Sequence, residues 1–107
     1  MRAPSDFFTV HVKRSTGTAR LRLTGRFDHS AVATLDALIG VVRDRDVTMD
    51  LAGITSMDGA GWQGVMAYER RVHDWGKDVR IEHAPAHVRR IFELTSTEHL
   101  LAEPVGL

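Results

Sequence analysis

Apolar and polar positions alternate through Phe8, Val10 and Val12 against Thr9, His11 and Lys13, the period of a strand with one buried and one wet face. Ser15-Thr-Gly-Thr18 reads as a turn. Ala19, Leu21 and Leu23 then alternate with Arg20, Arg22 and Thr24, predicting a second strand that pairs with the first as a hairpin. Gly25-Arg-Phe-Asp28 closes it. From Ser30 the period changes. Ala31, Leu35, Leu38, Ile39 and Val42 recur at three- and four-residue spacing, predicting a helix of about three to four turns with Asp28 or Ser30 as its N-cap. The charged run Arg43-Asp-Arg-Asp46 ends it, and Val47, Met49 and Leu51 begin a third strand whose Asp50 points away from the core.

A second helical pattern runs from near Ala60 or Gly61 to Gly76, a residue suited to a left-handed C-terminal cap. Trp62, Val65, Met66, Tyr68, Val72 and Trp75 cover about half its circumference, enough to pack on a sheet. Val79 and Ile81 alternate with Arg80 and Glu82 as a fourth strand, and Ala84-Pro85 suits the entry to a last helix that uses Val88, Ile91 and Phe92. Leu100 and Leu101 are placed to return over a sheet edge or helix face, and the tail beyond Pro104 is expected to be loose. The order β-β-α-β-α-β-α predicts one α/β domain over residues 1–107, with its core at about 7–102. Its sheet is expected to be mixed and four- to five-stranded, with right-handed crossovers and helices mainly on one face. There is no internal repeat, low-complexity segment or linker.

Composition narrows the function. A chain of 107 residues fits one domain that buries roughly two-thirds of its unfolded surface. Fourteen basic and fourteen acidic residues leave no net charge, which argues against direct nucleic-acid binding and against a polybasic membrane anchor. The absence of cysteine excludes disulfides, thiolate catalysis and cysteine-ligated zinc, and fits a reducing compartment. Met1-Arg-Ala-Pro-Ser-Asp6 leads into no apolar signal core, and Leu38-Ile-Gly-Val-Val42 is too short to span a bilayer. A cytoplasmic protein without membrane insertion is expected.

The stretch with the shape of a site is Asp50-Leu-Ala-Gly-Ile-Thr-Ser-Met-Asp58-Gly59-Ala60-Gly61-Trp62. Its strand pattern ends in an acidic, glycine-broken turn that opens a helix, where backbone can approach a partner closely and unpaired N–H groups are presented. Four segments, in order, carry a family resemblance: Leu21-Arg-Leu-Thr-Gly-Arg-Phe-Asp-His29, Asp50-Leu51, Met57-Asp58-x-x-Gly61 and Pro85-Ala-His-Val-Arg-Arg-Ile-Phe-Glu-Leu-Thr95. Together they resemble the STAS domain, named for sulfate transporters and anti-sigma factor antagonists, and most closely its stand-alone bacterial antagonists. The resemblance implies binding to a kinase-like anti-sigma factor, a GHKL ATPase, whose phosphorylation of a Ser or Thr just after the turn acid switches binding off. Asp58 matches that acid and Asp28 the second acid beside it.

At the acceptor position this chain has Gly59, and the next position, often Ser or Thr, is Ala60. Neither accepts a phosphoryl group. A phosphate would bring about 1.5 to 2 negative charges to a helix N-terminus flanked by Asp58 and Asp28. Gly59 and Ala60 hold the surface in the small, uncharged state, so a constitutive binder is expected. Ser56 and Thr55 are the nearest hydroxyls, but Ser56 lies two residues before Asp58, on the strand end. The regulatory loop is therefore read as Asp28, Ser56, Asp58, Gly59, Ala60, Gly61 and Trp62, with Asp58 and Asp28 also serving as helix caps and Trp62 in the core or at its rim.

Other chemistry is weaker. His83 and His87 have helical ligand spacing, but Ala84-Pro85 breaks the shared face. Glu69 and His73, one turn apart, read as a rim ion pair rather than a pH sensor or metal site. No Gly-x-Ser-x-Gly elbow, Walker loop or dinucleotide fingerprint occurs. A non-enzymatic protein-binding module without cofactor or metal is expected, with self-association as a homodimer left open. The alternatives are an accessory subunit of a lipid or anion transporter, which the resemblance also covers, and a small ligand-binding module.

Overall fold

The computed structural model describes residues 7–101; the segment Met1–Asp6 and the tail beyond Pro104, expected to carry no signal core and to be loose, lie outside them. The hairpin strands are β1 (Thr9–Ser15) and β2 (Thr18–Phe27), followed by α1 (His29–Asp36), β3 (Asp46–Met57), α2 (Gly59–His73), β4 (Val79–Glu82) and α3 (Ala86–Leu94). The sheet order is β1-β2-β3-β4. β1 and β2 are antiparallel, and β2–β3 and β3–β4 are parallel. Leu101 adds a parallel bridge to Ile81 on the outer side of β4, so the expected return over a sheet edge is realised.

The alternation works as the pattern predicts. Leu21, Leu23 and Phe27 of β2, Met49 and Leu51 of β3 and Ile81 of β4 are fully buried beneath Leu35, Tyr68, Val72, Val88 and Phe92 of the helices. At the end of α2, Gly76 has φ +77°. Its N–H donates to the carbonyl of His73 and that of Lys77 to Val72, the paired bonds of a Schellman cap around a left-handed glycine.

Two elements depart from the expected pattern. α1 stops at Asp36 after about two turns, and a 3-10 turn over Ile39–Val42 carries the pattern on. Leu38 N–H already bonds Leu35 at i→i+3. Leu35 and Val42 both remain buried, because three-residue spacing suits a 3-10 turn as well as an α-helix. β3 has twelve residues against ten in its partner β2, and the register shifts twice, between Arg22 and Thr24 and between Gly25 and Arg26. Each shift places one extra residue in β3, and each inverts which side chains face the core. Val47, Met49 and Leu51 face inward before the first, Ile54 between the two and Met57 after the second.

The second face of the sheet carries charge. Asp50 points away from the core as expected, yet it is only 8% exposed, because an ion-pair network closes over it. Arg20 Nη2 reaches Asp50 Oδ2 at 3.1 Å and Nη1 reaches Glu82 Oε1 at 2.9 Å. His83 Nδ1 lies 3.4 Å from Asp50 Oδ1, and that same oxygen accepts the N–H of Ala52 at the first bulge. Arg20 thereby clamps three parallel or paired strands from outside the core.

Candidate functional site

Phe27 and Met57 are register partners at the ends of the parallel strands β2 and β3. The next residue in each chain segment is an aspartate, Asp28 and Asp58, so the two acids stand side by side at one end of the sheet. Each adopts an extended backbone, with φ −123° at Asp28 and −108° at Asp58, and each caps the helix that follows. Asp28 Oδ1 accepts the N–H groups of Ser30 and Ala31 at 3.1 and 3.2 Å and the Ser30 hydroxyl at 2.8 Å. The Ser30 hydroxyl bond and the backbone N–H bonds hold the Asp28 carboxyl below its ordinary value. Asp58 Oδ1 accepts Gly61 N–H at 2.8 Å. Two helix N-termini, each with its positive dipole end, are thus answered by two carboxylates on adjacent strand ends.

The three small residues that follow Asp58 have different jobs. A β-carbon on Gly61 would lie 2.3 Å from the Phe27 carbonyl oxygen, so only glycine lets α2 begin against the end of β2. Gly64, one turn on, would meet Val32 Cγ2 at 2.5 Å, which sets the close approach of α2 to α1. Gly59 is exposed, and a β-carbon there would meet open space. Packing therefore does not require glycine at 59. Ala60 is half-buried.

Asp28, Asp58, Gly59, Ala60, Gly61 and Trp62 gather at this end of the sheet, with Trp62 at the rim rather than wholly buried. Its indole Nε1 donates to Thr97 Oγ1 at 3.2 Å. Thr97, 9% exposed, also bonds Phe92 O and the Thr95 hydroxyl, and so ties the α2 start to the end of α3. Thr97 gives no signal in the sequence, since a threonine after a helix is an ordinary terminator. Ser56 and Thr55 are exposed within β3, with Ser56 opposite Arg26 in register. Neither belongs to the first turn of α2.

The expected rim pair of Glu69 and His73 does not form: among the described residues no ion pair joins them. Helical spacing brings such side chains within reach, but an exposed pair gains little against the entropy of holding two side chains still. His83 faces Asp50 instead. Its φ of +58° turns the chain between β4 and α3, and His87 lies beyond that turn on α3. Among the described residues no group of three or more His, Asp or Glu is arranged to hold a metal ion, and no helix is long and apolar enough to cross a membrane.

The turn from Asp58 to Trp62 contains no hydroxyl or thiol, and the Asp58 Oδ1 that it offers is spent on the cap.

The fold is shared with proteins of known structure. The structure of the anti-sigma factor antagonist SpoIIAA in its unphosphorylated form superposes with a TM-score of 0.78 at 17% identity, over 92% of this chain and 89% of that one. An anti-sigma factor antagonist from Mycobacterium paratuberculosis gives 0.78 at 21% identity, over 100% and 92%. The murine anion transporter Slc26a9, in its inward-facing state, gives 0.65 at 12% identity, over 83% of this chain and 16% of the transporter. No curated protein matches the sequence. The family model described as "Mlab, STAS domain" matches residues 10–102. The chain belongs to the STAS domain family.

Proposed function

We propose that this protein is a non-catalytic regulatory module that binds a kinase-like anti-sigma factor of the GHKL ATPase type through the Asp58–Trp62 turn and the neighbouring Asp28. The observation that carries this reading is the exposed, hydroxyl-free Gly59 at the first position of α2, beside two aspartate-capped helix starts. Its surroundings leave room for the serine or threonine that the family resemblance leads one to expect. The chain therefore keeps the docking shape of the unphosphorylated form and lacks the group that would add charge to it, so binding is constitutive. The cytoplasm is the place where such a partner would be met.

Affinity for the kinase-like partner, recovered by pull-down and measured by calorimetry, tests this. Gly59→Asp places one negative charge where a phosphate would bring about 1.5 to 2, and is expected to weaken binding at least about tenfold with the fold intact. Unchanged affinity would remove the turn from the interface. Stoichiometric phosphorylation of Thr55 or Ser56 by that partner would refute constitutive binding.

A second reading, an accessory subunit of a transporter, draws support from the occurrence of the same fold in the anion transporter Slc26a9. Recovery of a transporter ATPase in place of a GHKL protein would favour it.

A further inference from the structure

The ladder register lays the open face of the sheet out as two rows. His11, Arg22, Asp50 and Glu82 are successive cross-strand partners in one, and Lys13, Arg20, Thr48 and Arg80 in the next. Arg20 holds Asp50 and Glu82, the carboxylates of the first row, and Asp46, at the start of β3 on the same face, accepts the N–H of Asp78. Lys13, Arg22 and Arg80 are exposed and take part in no ion pair among the described residues. A chain with no net charge thus gathers three unpaired cations within these two rows of the sheet face that the helices leave open, while Arg26, further along β2 on the same face, lies toward Asp28. Two shallow depressions, of about 330 and 320 Å³, indent this face and share Lys13 and Arg20 as lining.

We infer that this face binds an acidic polypeptide segment lying across the strands. Strands are about 4.8 Å apart, so Lys13 and Arg80, at opposite edges of one row, are separated by about 14 Å. An extended segment puts alternate side chains on one side and advances about 3.4 Å per residue, so carboxylates at positions i and i+4 match that span. Arg22 and Arg80 present planar forks that fit carboxylates, and Lys13 supplies a point charge at the edge. Asp50 and Glu82 on the same face disfavour a uniformly anionic partner. Lipid recognition uses clusters of about four to eight cations, and nucleic-acid binding a strongly basic domain. This surface lies on strands, away from the Asp58 turn at the sheet's end, so it serves a contact separate from the one proposed above.

The test is fluorescence anisotropy of the full chain with a fluorescein-labelled peptide of alternating Glu and Ser, eight residues long, at about 50 mM salt. Saturable binding is expected, with none for the matching Lys-Ser peptide. The triple variant Lys13→Glu, Arg22→Glu, Arg80→Glu alters only exposed side chains. It should keep its circular dichroism and lose at least about tenfold in affinity, while Asp50→Asn loses none, since Asp50 repels the peptide. Gly59→Asp should bind the peptide as the wild type does, which separates this surface from the turn. Absence of saturable binding, equal affinity in the triple variant, or loss in Gly59→Asp would overturn the inference. So would tighter binding, through the same three residues, to phosphatidylserine vesicles or to a DNA duplex.

Discussion

A β-carbon placed on Gly61 would sit 2.3 Å from the carbonyl oxygen of Phe27, so the first turn of α2 rests directly on the last residue of β2. Met57, register partner of Phe27, ends the adjacent strand at the same level. The pairing of Phe27 with Met57 makes Asp28 and Asp58 neighbours, and the contact of Gly61 with Phe27 seats the start of α2 against them.

The two glycines should therefore respond oppositely to a side chain. Gly61→Ala must move either the helix or a backbone carbonyl, and overpacking of this kind costs about 1 to 3 kcal/mol. Gly59→Ser enters open space and should stay within about 0.5 kcal/mol of wild type. Urea denaturation midpoints of the two variants, compared at equal slope, check the contrast.

Asp58 closes α2 through a single bond to Gly61 N–H. Asp58→Ala should cost about 1 kcal/mol, the ordinary worth of an N-cap, whereas Asp58→Asn or Asp58→Ser should cost less because both can still accept. If the turn also contacts a partner, Asp58→Asn keeps the cap and loses the charge. Thermal unfolding alongside partner affinity separates the two effects.

The Trp62–Thr97 bond ties the start of α2 to the end of α3. Trp62→Phe keeps most of the packing and loses the donor, and Thr97→Val leaves the indole N–H without its acceptor. A double-mutant cycle on unfolding free energy is expected to give a coupling of about 0.5 to 1.5 kcal/mol. A value near zero would mean that the indole exchanges this bond for water freely.

Burial raises the Asp50 carboxyl, but the Ala52 N–H, His83 and Arg20 outweigh it and leave the group below its ordinary value of 3.8. A carboxyl depressed in the folded state contributes stability that is fully present above its unfolded value and is lost as pH falls through the folded one. The melting temperature should therefore drop on acidification below about pH 4, and less steeply in Asp50→Asn. At pH 7 Asp50→Ala should cost about 2 kcal/mol, since it leaves Arg20 and Ala52 N–H short of a charged acceptor. Melting curves between pH 3 and pH 7, values spanning about that window, test both statements.

The alternation of Leu21, Leu23, Met49 and Ile81 with polar neighbours and the helical spacing of Val65, Tyr68 and Val72 determined the element order and the buried face. Turn chemistry did the same for Gly17, Gly76 and the caps Asp28 and Asp58. All of these are local: the period of a strand or helix and the sign of φ at a turn are properties of a few successive residues. The four motifs in their order also pointed to the family that the comparisons show. Only the tertiary structure decided which glycine is obligatory. Gly59 and Gly61 look alike in the chain, and the Phe27 carbonyl, far away in sequence, tells them apart. The two bulges of β3, the burial of Asp50 beneath Arg20, the role of Thr97 and the two rows of charge on the open face likewise depend on which strands lie side by side. Register across a sheet is a relation between distant segments, and a single segment carries no record of its partner.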